Sequence, residues 1–253
     1  MAAANAQRSA ADAEGELAAL RAEVERQRTE NAIKEQQLDR YAADLRAASR
    51  RERQRARELS ESYMATVRAL AGAVEARDAY TAHHGDRVTA YGIELAAASG
   101  LDIADESELE CAFLLHDIGK VAIPDGILFK AGTLDSQERE VMQRHPVIGE
   151  DIISEIAFLE PARALVRHHH ERWDGGGYPD GLAGTEIPRV ARVFALADAL
   201  DALTSDRPYR AAVAIAEARE VIESTEGQFD PAVLEAFATI PDERIEEIRR
   251  SLA

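Results

Sequence analysis

Apolar side chains recur at seven-residue intervals along the first sixty residues. Counting from Leu17, one seam position reads Leu17, Val24, Asn31, Leu38, Leu45, Glu52 and Leu59. The other reads Leu20, Gln27, Lys34, Tyr41, Ala48, Arg55 and Ser62. One good seam and one poor one predict a long helix that pairs as a coiled coil, with Asn31 placed to fix register in a two-stranded pair. The competing reading is a solvated charged helix with no partner. The segment has no proline, a single glycine (Gly15) and abundant Ala, Glu, Arg, Gln and Leu, a composition that favours helix. Apolar positions continue at helical spacing through Tyr63, Val67, Leu70 and Val74, so the helix is expected to enter the globular part without a linker.

Beyond residue 79 the spacing predicts helices over 85–99, 105–118, 135–144, 146–157, 160–171, 188–203, 211–225, 231–239 and 242–252. Asp135 with Glu138 makes a capping box, and Pro188 and Pro231 suit first helical turns. No apolar/polar alternation persists long enough to demand a strand. Segments 119–134 and 172–187 read as loops, the second holding the run Asp174 to Gly181 with four glycines and a proline. The fold class is all-α: a compact helical bundle over 61–253 preceded by a long N-terminal helix over 1–60.

Composition narrows the function. Of 253 residues, 46% are hydrophobic, enough for a core, and 30 basic against 47 acidic side chains leave a net charge of −17. Residues 1–60 carry 12 basic and 11 acidic groups (+1), so 61–253 carry 18 and 36 (−18). That acidity argues against DNA as a partner. The single cysteine, Cys111, excludes a disulfide framework and a cysteine-based zinc ribbon, and its apolar setting reads as a small buried hydrophobe. No run approaches the ~18 apolar residues of a membrane span, and the N-terminus lacks the pattern of a secretory signal. No membrane insertion and a cytoplasmic location are expected.

The seven histidines all fall between His83 and His170. His116-Asp117 ends the apolar run Cys111–Leu115; a buried His-Asp pair without partners there would be costly, and metal ions would make it favourable. His168-His169-His170 ends a second apolar helix, where tandem imidazoles can reach two metals. His145 precedes Pro146 at a helix junction, His84 lies beside Gly85, and Asp198 follows the apolar run 193–197, so its helix reads as buried there, where an unpaired carboxylate is disfavoured. Imidazoles and carboxylates without thiolates suit Fe, Mn or Zn better than Mg or Ca.

These residues carry a family resemblance. Tyr80-Thr81-Ala82-His83-His84, His116-Asp117-Ile118-Gly119-Lys120, Ile123-Pro124-Asp125 and Arg144-His145-Pro146 occur in order. They are followed by His169-His170-Glu171-Arg172-Trp173-Asp174-Gly175, Gly177-Tyr178-Pro179-Asp180-Gly181 and the stretch from Asp198 to Arg210. Over residues ~60–240 the chain resembles the HD-GYP domain of the HD phosphohydrolase superfamily, an ordered set far more specific than a lone His-Asp pair. The resemblance implies a helical phosphodiesterase that hydrolyses cyclic di-GMP to pGpG, with onward cleavage to GMP left open, by attack of a metal-bridging hydroxide on phosphorus. It implies two divalent metals, Fe or Mn ahead of Zn, held by His84, His116, Asp117, His145, His169, His170 and Asp198. Asp117 would bridge them, Lys120 would flank the scissile phosphate, and Tyr178, Arg207 and Arg210 would contact substrate.

Some departures bear on the site. A glutamate that holds a third metal in some members is replaced by Tyr80, which leaves the count at two. His83 and His168 are read as bystanders, and Ala131 replaces a proline usual near Lys130. Trp173 is read as packing rather than base stacking, and glycines 175–177 as letting the backbone pass close to the site. Competing functions are a superfamily phosphohydrolase with another nucleotide substrate and a non-catalytic dimeric scaffold that binds nucleotide or a partner. A homodimer through the N-terminal helix and a signalling partner domain complete the expected partners.

Overall fold

A computed structural model describes residues 2–77, 83–101, 106–206 and 210–252. The chain divides into two compact units, Met1–Glu61 and Ser62–Ala253. The first is helical from Ala2 onward, as part of α1 (Ala2–Glu75). Its apolar row stays open: Leu17, Leu20, Val24, Leu38, Tyr41, Leu45 and Leu59 are all exposed, from 45 to 72%. No helix among the described residues is long and apolar enough to cross a membrane.

The second unit begins with the last turns of α1, whose Val67, Ala71 and Val74 enter the core. Tyr63 stacks flat on Phe158 with centroids 4.5 Å apart, and Met64 touches buried Cys111, which is the small hydrophobe expected. Then follow α2 (His84–Ala98), α3 (Glu106–Leu115), α4 (Asp125–Leu128), α5 (Ser136–Met142), α6 (His145–Ser154) and α7 (Arg163–His168). The chain closes with α8 (Arg189–Thr204), α9 (Ile215–Ser224), α10 (Pro231–Ala238) and α11 (Asp242–Ser251). At the centre Phe113 of α3 meets Phe194 of α8 edge to face at 5.1 Å, among Leu95, Leu115, Leu165, Val166 and Leu196.

No strand occurs among the described residues; Asp174 and Ala183 form an isolated bridge. The helical reading therefore holds, with changes at the ends. The Asp135–Glu138 capping box forms as expected, and Pro231 opens α10. Pro188 stands one residue before α8 as its N-cap rather than inside its first turn. The predicted helix 105–118 stops at Leu115, and Ile118–Ala122 coils as a separate 3-10 turn. The predicted 160–171 splits into a 3-10 turn, Ala157–Ala162, and α7, because Pro161 cannot donate to an α-helical ladder. Segment 119–134, read as loop, contains most of the first 3-10 turn and all of α4.

Close backbone approach explains the break after Leu115. A Cβ on Gly119 would lie 1.9 Å from the His145 carbonyl oxygen and 2.6 Å from the Gly149 nitrogen. Only glycine lets the 3-10 turn lie against the start of α6, and that contact draws His116-Asp117 towards His145. Gly119→Ala is expected to cost about 1–3 kcal/mol by forcing the two backbones apart. The cost would be read as a lower urea midpoint at unchanged slope; an unchanged midpoint would refute the packing argument.

Candidate metal centre

Three imidazoles are placed by the same local device. His116 follows the end of α3 and its Nδ1 meets the Phe113 carbonyl at 2.7 Å. His145 meets the Met142 carbonyl at the end of α5 at 2.8 Å, and His169 the Val166 carbonyl at the end of α7 at 2.9 Å. Helix C-termini leave carbonyls without intrahelical donors, so each ring fills one of those vacancies. A carbonyl can only accept, so each Nδ1 is the donor. Each Nε2 of a neutral ring is then left with a lone pair.

Those lone pairs converge. His145 Nε2 and His169 Nε2 are 3.1 Å apart, and Asp117 Oδ1 lies 3.2 Å from the first and 3.9 Å from the second. Asp117 Oδ1 is buried and receives no well-formed hydrogen bond. Asp117, His145, His169 and His170 each bring a ligand atom within 4.8 Å of the others. Facing acceptors with no donor between them suit a cation, so the donor set fits a divalent metal site. The other carboxylate oxygen, Oδ2, lies 3.0 Å from His116 Nε2 and 2.8 Å from Lys120 Nζ. His84 Nε2 is 3.5 Å from Asp198 Oδ1, and the His84 and His116 rings are 5.4 Å apart.

Electrostatics sharpen this pattern. Burial opposes ionisation of Asp117, yet the charges of His116 and Lys120 hold its carboxyl well below the ordinary value. Burial also opposes protonation of His116, but Asp117 and Asp198 prevail and raise its pKa. Burial drives His169 well down, and neighbouring His170 and His145 add to it. His170 is brought down to about 3 by burial and by His145. Rings kept neutral, as those of His169 and His170 are, are what metal ligation requires.

Around the centre, Tyr178 leans on His170 with centroids 4.7 Å apart, and burial pushes its phenol pKa up, so the hydroxyl stays protonated. The loop before it runs tight against the segment that follows α7, since a Cβ on Gly177 would lie 2.4 Å from the Arg172 nitrogen and 2.6 Å from the His170 carbonyl oxygen. A cavity of about 680 Å³ opens from His169, His170 and Asp198 past Tyr178 and Arg210 to Gln228. Asp198 corrects the sequence expectation: its side chain is 33% exposed, because α8 buries Val193, Phe194, Leu196 and Ala197 and turns this position to the cavity. Arg210 donates to the Ala202 carbonyl at the cavity wall. Arg207 and Tyr80 lie outside the described residues. His83 is exposed beside Asp86, whereas His168 faces Glu171 and Asp180.

Two supporting carboxylates escaped the sequence reading. Asp201, buried, accepts from His84 Nδ1 at 2.8 Å and from Arg87 Nε at 2.6 Å. Glu171, also buried, accepts from the backbone N–H groups of Asp180 and Leu182 at 2.8 and 3.1 Å and so shapes the Tyr178 loop. Both stood inside the quoted motifs, but their partners are distant in sequence or belong to backbone. Removing Asp201 takes away the acceptor of the buried His84 donor and the carboxylate that pairs with Arg87. Asp201→Ala is therefore expected to destabilise the fold by about 3–5 kcal/mol in urea titrations; a loss under about 1 kcal/mol would show that water replaces the carboxylate.

The chain is similar to proteins of known family. The HD domain family matches residues 39–233. The cyclic di-GMP phosphodiesterase response regulator RpfG of Xanthomonas campestris pv. campestris is 40% identical over 183 residues, covering 71% of this chain and 48% of that protein. A 3'3'-cGAMP-specific phosphodiesterase 2 of Vibrio cholerae is 40% identical over 198 residues, covering 77% and 38%. A cyclic di-GMP phosphodiesterase of Thermotoga maritima is 40% identical over 179 residues, covering 70% and 49%. The chain thus spans half or less of the length of these relatives. Among solved structures, Bd1817, an HDG"Y"P protein from Bdellovibrio bacteriovorus, shares the fold with a TM-score of 0.50 at 21% identity, over 67% of this chain and 52% of that one. With an HD domain matched across most of its length and the motif set in place, the chain belongs to the HD domain family, in its HD-GYP branch.

Proposed function

We propose that this chain hydrolyses a cyclic dinucleotide, with cyclic di-GMP as the substrate, at a centre of two divalent metals. The observation that carries the reading is the division of Asp117. Oδ1 faces His145 and His169, whereas Oδ2 faces His116 and Lys120. A carboxylate with imidazoles on both sides is suited to bridge two ions, with His170 joining the first set and His84 and Asp198 completing the second. Fe or Mn fits such a set, with Zn a third option.

Bound there, the metals would supply an activated water and neutralise phosphoryl oxygens. The chain's own groups do the rest. Lys120 places a fixed positive charge beside Asp117, where negative charge develops on the phosphoryl group. Tyr178, kept protonated, donates a hydrogen bond from the cavity wall. Arg210 there, and Arg207 by its place in the motif, hold phosphate or base edges. Products are pGpG and, on a second cleavage, GMP. The exposed apolar row of residues 1–60 supports a homodimer by helix pairing, the arrangement in which such a row is covered. Residues 1–60 would serve as the dimerising segment and 61–253 as the catalytic one, in the cytoplasm, where a signalling partner domain could act on it.

A second reading concerns the substrate alone: a relative named for 3'3'-cGAMP is as similar as those named for cyclic di-GMP. Incubation with each dinucleotide under Mn(II), Fe(II) without oxygen, or Zn(II), with products resolved by chromatography, separates the two. Faster turnover of cyclic di-GMP is expected, and faster turnover of 3'3'-cGAMP would reassign the substrate. About two metals per chain are expected by elemental analysis. Asp117→Ala should lose turnover and metal while keeping its helical circular dichroism, whereas metal-loaded protein without turnover of either substrate would favour the scaffold. Removing residues 1–58 should convert dimer to monomer in light scattering; an unchanged dimer would place the interface elsewhere.

A further inference from the structure

We propose that Glu75, the last residue of α1, is a positioning residue for the metal centre, acting through His84. The proposal rests on the reading of His84 as a metal ligand. Glu75 is misplaced for its own helix. α1 ends with no basic residue in its last turn, and a carboxylate at a helix C-terminus opposes the helix dipole.

Its carboxylate serves α2 instead. Oε1 accepts the backbone N–H of Gly85 at 2.8 Å. Gly85 is the second residue of α2, whose N-cap, His83, sits at φ 59° and makes no side-chain capping bond. Glu75 therefore supplies from another helix the cap that α2 lacks, and sets negative charge where the α2 dipole favours it. The residue adjoining that bond is His84, buried, with Nδ1 on Asp201 and Nε2 towards Asp198. Glu75 also lines a small cavity with His84, His116, Asp117 and Lys120.

The segment around Glu75 is itself anchored. Two residues on, Arg77 donates to the Val121 carbonyl at 2.6 Å and to the Ile123 carbonyl at 3.5 Å, and pairs with Asp125. Those carbonyls lie at the C-terminal end of the 3-10 turn that holds Lys120. One short stretch thus fixes the start of α2 and the end of the Lys120 turn together, so displacement of Glu75 would move His84 against a turn held in place.

The test is Mn(II) binding to the full chain, followed by the electron paramagnetic resonance of free Mn(II). Loss of an outer partner of a ligand typically weakens binding about 10–100-fold. Glu75→Ala is expected to bind Mn(II) at least about tenfold more weakly than the parent. Glu75→Gln, which keeps an oxygen acceptor at the same reach, should recover most of that loss. The metal-free Glu75→Ala protein should melt only the few degrees lower that a lost helix cap costs, too little for general unfolding to explain a loss of about tenfold in affinity. Parent-like affinity in Glu75→Ala overturns the proposal, and if His84→Ala still loses metal, the metal reading survives. Parent-like affinity in His84→Ala overturns both. Should Glu75→Ala fail to fold, Glu75→Asp takes its place, one methylene short of Gly85; equal affinity in the Asp and Gln variants overturns the proposal.

Discussion

The hydrogen bond from a buried imidazole to the carbonyl three residues behind it, repeated at the ends of α3, α5 and α7, fixes the rest of the site. Each bond satisfies a helix-terminal carbonyl and at once decides which ring nitrogen is bare. Rings held this way cannot rotate to relieve one another. His145 and His169 consequently face each other with like-signed lone pairs at 3.1 Å, next to an orphaned carboxylate oxygen. Left to itself that arrangement is electrostatically unfavourable, and a divalent cation resolves it. Local helix termination, usually a detail of stability, here selects the ligand.

The surrounding framework serves the same end at longer range. Asp201 reaches across from α8 to orient His84, and Glu171 holds the loop that brings Tyr178 over His170. Gly119 lets the Lys120 turn lie on α6, so Asp117 sits between two groups of imidazoles rather than beside one. His116 and Lys120 keep that carboxylate ionised, and Lys120 contributes a positive charge of its own.

Much of this was legible in the sequence. The 3.6-residue period located α2, α3, α8, α10 and α11 to within a few residues, and the seven-residue row marked α1. The ordered His and Asp motifs named Asp117, His145, His169 and His170, whose ligand atoms converge. What escaped is instructive. The 3-10 turns at 118–122 and 157–162 arise from a tertiary close approach and an internal proline, neither of which disturbs the apolar period. Asp198 reads as buried because its neighbours are apolar, yet a helix turns successive residues to different faces. Asp201 and Glu75 are ordinary acids in a chain with 47 of them, and only their distant partners single them out.

The acidity of residues 61–253, −18 in formal charge, bears on product release. A cyclic dinucleotide carries two diester charges. Opening one diester creates a terminal monoester, which holds about −1.5 to −2 at neutral pH. On the proposed reaction the product would therefore leave more anionic than the substrate arrived, into a protein field of the same sign. Against the pull of bound metals, Lys120 and Arg210, that field would push on the product more strongly than on the substrate. On that reading, the acidity of these residues would also help to clear the site.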